Sequence, residues 1–174
     1  MPRPQPIAST LITTFGLGHL RPASGTWGSL PPVAWAGLLL LVAGLAPSVG
    51  GSVWWVYHVS LWSVLLVFSW ATVAGADRAE AVFGHDPSEV VADETAGQCI
   101  PLLLIPPALI GAGWWQALMA LALAFLLFRA FDIAKVWPAN ALQRVPGGWG
   151  ILLDDLVAGL YAAGGLWVAR LVLV

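Results

Sequence analysis

Along the run 53–74 the only side chain that ionises near neutral pH is His58, and the remaining positions are apolar, aromatic, hydroxyl-bearing or small. A charge-free stretch of about 20 residues, rising 1.5 Å per residue as a helix, matches the thickness of a bilayer core. A water-soluble fold would have to hide this run and several like it. Charged residues make up only 9% of the chain and hydrophobic ones 59%, against roughly 25% charged in ordinary globular domains. Too few polar side chains exist to cover such a core, so large apolar patches would face water. The 11 tryptophans favour the same environment, because an indole sits well at a membrane interface. Trp54, Trp55, Trp114, Trp115, Trp137 and Trp149 lie near the ends of apolar runs.

Three further runs complete the pattern. The first covers 31–46 and starts at Pro31 and Pro32, which suit a helix start because a first-turn N–H has no intrahelical partner; residues 27–30 can add a turn. The run 95–128 is too long for one crossing and is interrupted by Pro101, Pro106, Pro107, Gly111 and Gly113, so it reads as two helices with a turn near 111–113. The last covers 150–174. These runs predict an all-α, polytopic membrane helical bundle of about four to five spans, five if 95–128 crosses twice, forming a single domain over 1–174. No internal repeat or flexible linker is visible.

The charges are unevenly placed on this scheme. Arg3, Arg21, Arg78, Arg129, Lys135 and Arg144 fall at one face, leaving Arg170 near the other, the bias expected if the crowded face is cytoplasmic. All nine acidic residues, from Asp77 to Asp155, fall on the crowded face or just inside it. The spans were drawn without using the acids, so their coincidence implies one polar site. A net charge of −2 and the lack of a Lys/Arg run speak against nucleic acid as a partner. The single Cys99 is followed by Ile100 and Pro101 and offers no thiol phosphatase loop. It reads as packing.

Four segments concentrate the polar groups. The glycine-rich stretch 16–29 can present backbone N–H groups to an anion, with Arg21, Ser24, Thr26 and Ser29 as added donors; its bland reading is a tight turn under the bundle. Asp86, Glu89, Asp93 and Glu94 cluster at the mouth of the third run. In a continuous helix Glu89 and Asp93 would be i,i+4 neighbours facing one cation, although a solvated acidic helix start is the plainer alternative. Arg129, Asp132 and Lys135 recur at i, i+3, i+6, a stripe able to bind phosphate oxygens or simply to snorkel to the interface. Asp154 and Asp155 sit inside the last apolar run, where unpartnered carboxylates would cost several kcal/mol. A metal ion or clustered cations are the natural partners. His19, His58 and His85 read as structural.

These pieces, in order over about 15–164, resemble the phosphatidylglycerophosphatase A family. The matching motifs are Gly25-Thr26-Trp27-Gly28-Ser29, Val91-Ala92-Asp93-Glu94, Phe128-Arg129 with Asp132 and Lys135-Val136-Trp137-Pro138, and the segment from Gly150 through Asp154-Asp155 to Gly159. The resemblance implies Mg2+-dependent hydrolysis of phosphatidylglycerophosphate to phosphatidylglycerol and phosphate, in phosphatidylglycerol biosynthesis at the bacterial inner membrane. On that basis Asp93, Glu94, Asp154 and Asp155 are expected to hold metal, with Asp93, Glu94, Asp132 and Asp155 as the catalytic carboxylates. Arg129, Lys135, Arg21, Gly25, Thr26 and Ser29 are expected to bind the substrate. Two rival readings are a CDP-alcohol phosphotransferase-like enzyme, whose Asp-Gly-x2-Ala-Arg element is missing here, and a non-enzymatic ion-binding or transport protein.

Overall fold

A computed structural model describes residues 10–42, 51–83, 87–111 and 113–173, and among them the regular secondary structure is entirely helical. A 3-10 turn at Leu17–His19 precedes α1 (Ser24–Val42), which is followed by α2 (Ser52–Phe83), α3 (Ala92–Leu103), α4 (Pro107–Gly111), α5 (Trp114–Ala134), α6 (Ala139–Leu142) and α7 (Gly148–Leu173). Four of these are long and apolar enough to cross a membrane: α1, α2 as far as Asp77, α5 and α7.

The run 95–128 breaks near 111–113 as expected, and again at 104–106, so its first part is the 12-residue α3 followed by the 5-residue α4. Neither is long enough to cross alone. Pro106 and Pro107 supply the reason, because the residue before a proline is driven out of the helical region. The short helices are enclosed by protein: α3 packs against α1, α2, α5 and α7, and ten of its residues are buried. Broken, polar backbone at membrane depth is tolerated in that position. Outward-facing Leu41, Trp55, Leu66, Trp70, Leu126 and Leu171 are exposed, as suits helices bathed in lipid.

The first helix starts earlier than the prolines suggested. Pro31 and Pro32 lie inside α1, and the helix begins after Ala23, whose φ of 61° ends the preceding turn. A proline inside a helix leaves the carbonyl four residues back without its donor. For Pro32 that carbonyl belongs to Gly28, and Thr95 Oγ1 donates to it over 2.7 Å. The second consequence appears in α3, where Pro101 releases the Gly97 carbonyl. That oxygen faces Gly159 of α7 so closely that a Cβ on Gly159 would lie 2.5 Å from it. Both proline-freed carbonyls thus become helix contacts.

Two larger apolar clusters make up most of the described core, with Phe128, Ala158 and Ala162 forming a third. Leu39, Leu61, Leu102, Ile110, Leu121 and Leu166 fill the half remote from the acids. Ile12, Phe68, Ala92, Ala96 and Leu152 pack under the acidic end.

Candidate active site

The acidic end is built around the start of α3. Val91, with φ −140° and ψ 15°, turns the chain into the helix and is held on both sides. Its N–H donates to the Ile12 carbonyl at 3.0 Å, and Thr14 Oγ1 donates to its carbonyl at 3.2 Å. The next turn carries Asp93 and Glu94, where the positive end of the helix dipole favours carboxylates.

Close helix crossing brings Asp155 to them. Gly97 lies against α7 so tightly that a Cβ there would sit 2.7 Å from the Asp155 carbonyl and 2.8 Å from the Phe128 ring. One carboxylate oxygen from each of Asp93, Glu94 and Asp155 lies within 4.8 Å of the others. Asp93 is 8% exposed and Asp155 3%. Asp93 Oδ1, Glu94 Oε2 and Asp155 Oδ2 are buried with no hydrogen-bond partner among the described residues. Orphaned carboxylate oxygens at low dielectric are costly, and a divalent cation held by one oxygen from each carboxylate offsets much of that cost. Oxygen-only donors of this kind suit a hard ion such as Mg2+ better than a soft one.

The neighbouring charges are paired among themselves. Arg129 Nη1 forms an ion pair with Asp132 Oδ2, one turn on along α5. The sequence stripe ends there, because Lys135 is the left-handed cap of α5 with φ 45° and ψ 53°. Its side chain leaves the helix and Nζ donates to Asp154 Oδ2 at 2.6 Å. Burial works against the Lys135 charge, but the bond to Asp154 and the fields of Asp154, Asp155 and Asp132 outweigh it and raise its pKa above the ordinary lysine value. At Gly25 the start of α1 presses on Glu94 and on the Arg129 guanidinium, leaving no room for a Cβ.

These groups line a cavity of about 350 Å³, open to one side, which Ser24, Ser88 and Gln143 also border. Gln143 and Ser88 were not expected from sequence, since uncharged polar residues in a connecting segment carry no hydropathy or spacing signal. Of the positions expected to serve the site, Asp93, Glu94, Asp132, Asp154, Asp155, Arg129, Lys135 and Gly25 converge on this cavity. Asp154, expected among the metal ligands, is engaged by Lys135 instead of joining the three clustered carboxylates.

Arg21, Thr26 and Ser29 stand apart from the cavity lining. Arg21 pairs with Glu89 at 3.0 Å, and Ser29 Oγ donates to the Gly25 carbonyl at 2.8 Å. The i,i+4 pairing of Glu89 with Asp93 is not formed, because α3 begins only at Ala92. Asp86 and His85 lie outside the described residues. His58 stacks edge-on against Trp54 at 4.4 Å between ring centroids.

The sequence model of a family described as phosphatidylglycerophosphatase A matches residues 10–170. A Bacteroides thetaiotaomicron protein, provisionally named a phosphatidylinositol-3-phosphatase, is 33% identical over 99% of both chains. Proteins named phosphatidylglycerophosphatase A are 33% identical in Haemophilus influenzae, over 87% of this chain and 82% of that one, and 30% identical in Escherichia coli, over 72% and 76%. No solved structure matches the chain. With the family match running from the N-terminal turn that braces α3 through to the last helix, this chain belongs to the phosphatidylglycerophosphatase A family and is a phosphatase of that kind.

Proposed function

We propose that this protein hydrolyses the terminal phosphomonoester of phosphatidylglycerophosphate, yielding phosphatidylglycerol and inorganic phosphate, and that the reaction needs Mg2+ held by Asp93, Glu94 and Asp155. The observation that carries this reading is the charge balance of the cavity. Five carboxylates, Asp93, Glu94, Asp132, Asp154 and Asp155, face two cations, Arg129 and Lys135. With all of them ionised the site holds a formal excess of three negative charges, which repels a phosphate dianion unless a divalent cation intervenes.

A cation bound at the three carboxylates would supply Lewis-acid polarisation of the phosphoryl group and favour ionisation of a nearby water. The chain's own residues do the rest. Arg129 offers a guanidinium to the non-bridging oxygens, restrained by its ion pair with Asp132. Lys135, kept protonated by Asp154, stabilises charge without donating its proton. Hydrolysis forms one bond from water oxygen to phosphorus and breaks the bond from phosphorus to the glycerol oxygen. The water proton passes to a clustered carboxylate, and the departing alkoxide takes a proton from solvent.

In this reading the chain is one catalytic domain over 1–174, seated in the bacterial inner membrane with its cavity on the cytoplasmic side. The support is the concentration of Arg21, Arg129, Lys135 and Arg144 at one face, against Arg170 in the last turn of α7. Its product would feed phosphatidylglycerol biosynthesis.

The deciding experiment is phosphate release by the detergent-solubilised protein from phosphatidylglycerophosphate, phosphatidylinositol 3-phosphate and phosphatidic acid. Each is run with Mg2+, after chelation and after Mg2+ is restored. Release from phosphatidylglycerophosphate should dominate, stop with chelator and return with Mg2+. Preference for the inositol lipid, or activity that survives chelation, defeats the reading.

A further inference from the structure

One buried group near the cavity has no role so far. Gln98 is fully buried, with neither Oε1 nor Nε2 hydrogen-bonded among the described residues. Apolar residues fill such interior positions without loss, and an amide left unpartnered there is a standing cost. Its place in α3 is informative. Gln98 follows Glu94 at i+4, on the same side of the helix and one turn deeper.

The neighbouring helix narrows its partners. α1 and α3 run side by side from the acidic end: Gly25 abuts the Glu94 carboxylate, and the Gly28 carbonyl accepts from Thr95. One turn further along each helix stand Ser29 and Gln98, both fully buried. Ser29 spends its hydroxyl hydrogen on the Gly25 carbonyl at 2.8 Å. Beyond the ion pair with Asp132, Arg129 Nε and Nη1 also lack a hydrogen-bond partner among the described residues, but the guanidinium lies with Glu94 Oε1 against Gly25. The amide is the spare donor one turn further along α3. One turn back along α3, Glu94 Oε2 is buried and likewise unpartnered among the described residues. A primary amide has two N–H donors and a carboxylate only acceptors, so the two orphans are chemically matched. Side chains four apart on a helix meet through a rotamer change.

We propose that Gln98 is a positioning residue for the cation site: its amide N–H holds the outer oxygen of Glu94, directly or through one water, and so aims the other oxygen at the cation. This rests on the metal reading given above. Groups that hold a metal-binding side chain from behind typically change metal affinity 10- to 100-fold when removed. A residue that merely packs would change folding stability and leave cation affinity alone.

The test is calorimetric titration of Mg2+ into metal-free, detergent-solubilised wild type, Gln98→Met and Asp155→Asn, with thermal unfolding of each in the absence of metal. Methionine keeps the volume and removes the amide. The expected result is a 10- to 100-fold weaker Mg2+ affinity in Gln98→Met, in protein that is still folded at the titration temperature. Unchanged Mg2+ affinity overturns the inference. A lowered metal-free unfolding temperature with unchanged Mg2+ affinity is the result of a residue that merely packs, and overturns it too; should Gln98→Met fail to fold, Gln98→Leu is titrated in its place. The two readings fail separately: wild type that binds no Mg2+ defeats both, whereas binding lost in Asp155→Asn and intact in Gln98→Met defeats only this one.

Discussion

Lys135 Nζ and Asp154 Oδ2, 2.6 Å apart, tie the left-handed cap of α5 to an aspartate buried in the first turns of α7. The bond places a cation beside the clustered carboxylates and engages one carboxylate oxygen of the first of the two adjacent aspartates. It also links the two helices whose ends form one wall of the cavity.

Breaking that pair from the Lys135 side should cost stability, because Asp154 would remain buried and uncompensated. With the Lys135 side chain 36% exposed, solvent screening reduces the loss to about 1–3 kcal/mol for Lys135→Met. The double variant Lys135→Met, Asp154→Leu should recover most of it. Thermal unfolding of the four proteins in a double-mutant cycle measures the coupling, and strictly additive losses would show that the pair contributes nothing.

The same pair sets a pH expectation. A lysine whose folded pKa is raised above its unfolded value adds stability that is fully present below the unfolded pKa and is lost only as pH climbs through the folded one. For Lys135 that window lies above the ordinary lysine range, about 10.4. Between pH 6 and pH 9, roughly, the unfolding free energies of wild type and of the double variant Lys135→Met, Asp154→Leu, which leaves no stranded carboxylate, should therefore differ by a constant amount. A gap that closes within that interval contradicts the assignment.

Asp93→Asn and Asp155→Asn should lower phosphate release by at least about 100-fold while the protein stays folded, since each removes a charge from three crowded carboxylates. Metal-free unfolding temperatures should hold or rise, because like-charge repulsion at this spacing is destabilising. Gel filtration and phosphate assays on the same preparations suffice, and full activity in both variants ends the carboxylate-metal idea.

Thr95 joins three segments: it donates to the Gly28 carbonyl, lies 2.8 Å from Thr14 Oγ1 and sits 3.0 Å from the Val91 carbonyl. Thr95→Val keeps the shape and strands the carbonyl freed by Pro32, at a cost of about 1–3 kcal/mol. Thr95→Ser should retain nearly all the stability. If valine unfolds at the wild-type temperature, the proline-freed carbonyl needs no donor.

Gly97→Ala and Gly159→Ala should each destabilise by about 1–3 kcal/mol through overpacking and weaken Mg2+ binding by displacing Asp155. Gly164, with nothing near its position, is the control: Gly164→Ala should be neutral or stabilising by up to about 1 kcal/mol. Equal effects at all three positions would mean that the close α3–α7 crossing is unimportant.

Hydropathy alone located the long apolar helices, because a charge-free run has few alternatives to a membrane span. It placed the acids at one end for the same reason, since five of them had to sit where spans begin or finish. Local breaks were harder to read. Pro31 and Pro32 suggested a helix start, but α1 passes through them because Thr95, distant in sequence, supplies the missing donor. The order of residues also could not choose between Asp154 and Asp155. Consecutive helical residues point about 100° apart, so only one of the two can face α3. The Gly97 and Gly159 crossing turns Asp155 toward Asp93 and Glu94, while the cap at Lys135 claims Asp154. Periodicity along one chain fixes the angle between neighbouring side chains; only the packing of one helix on another fixes which of them meets a partner.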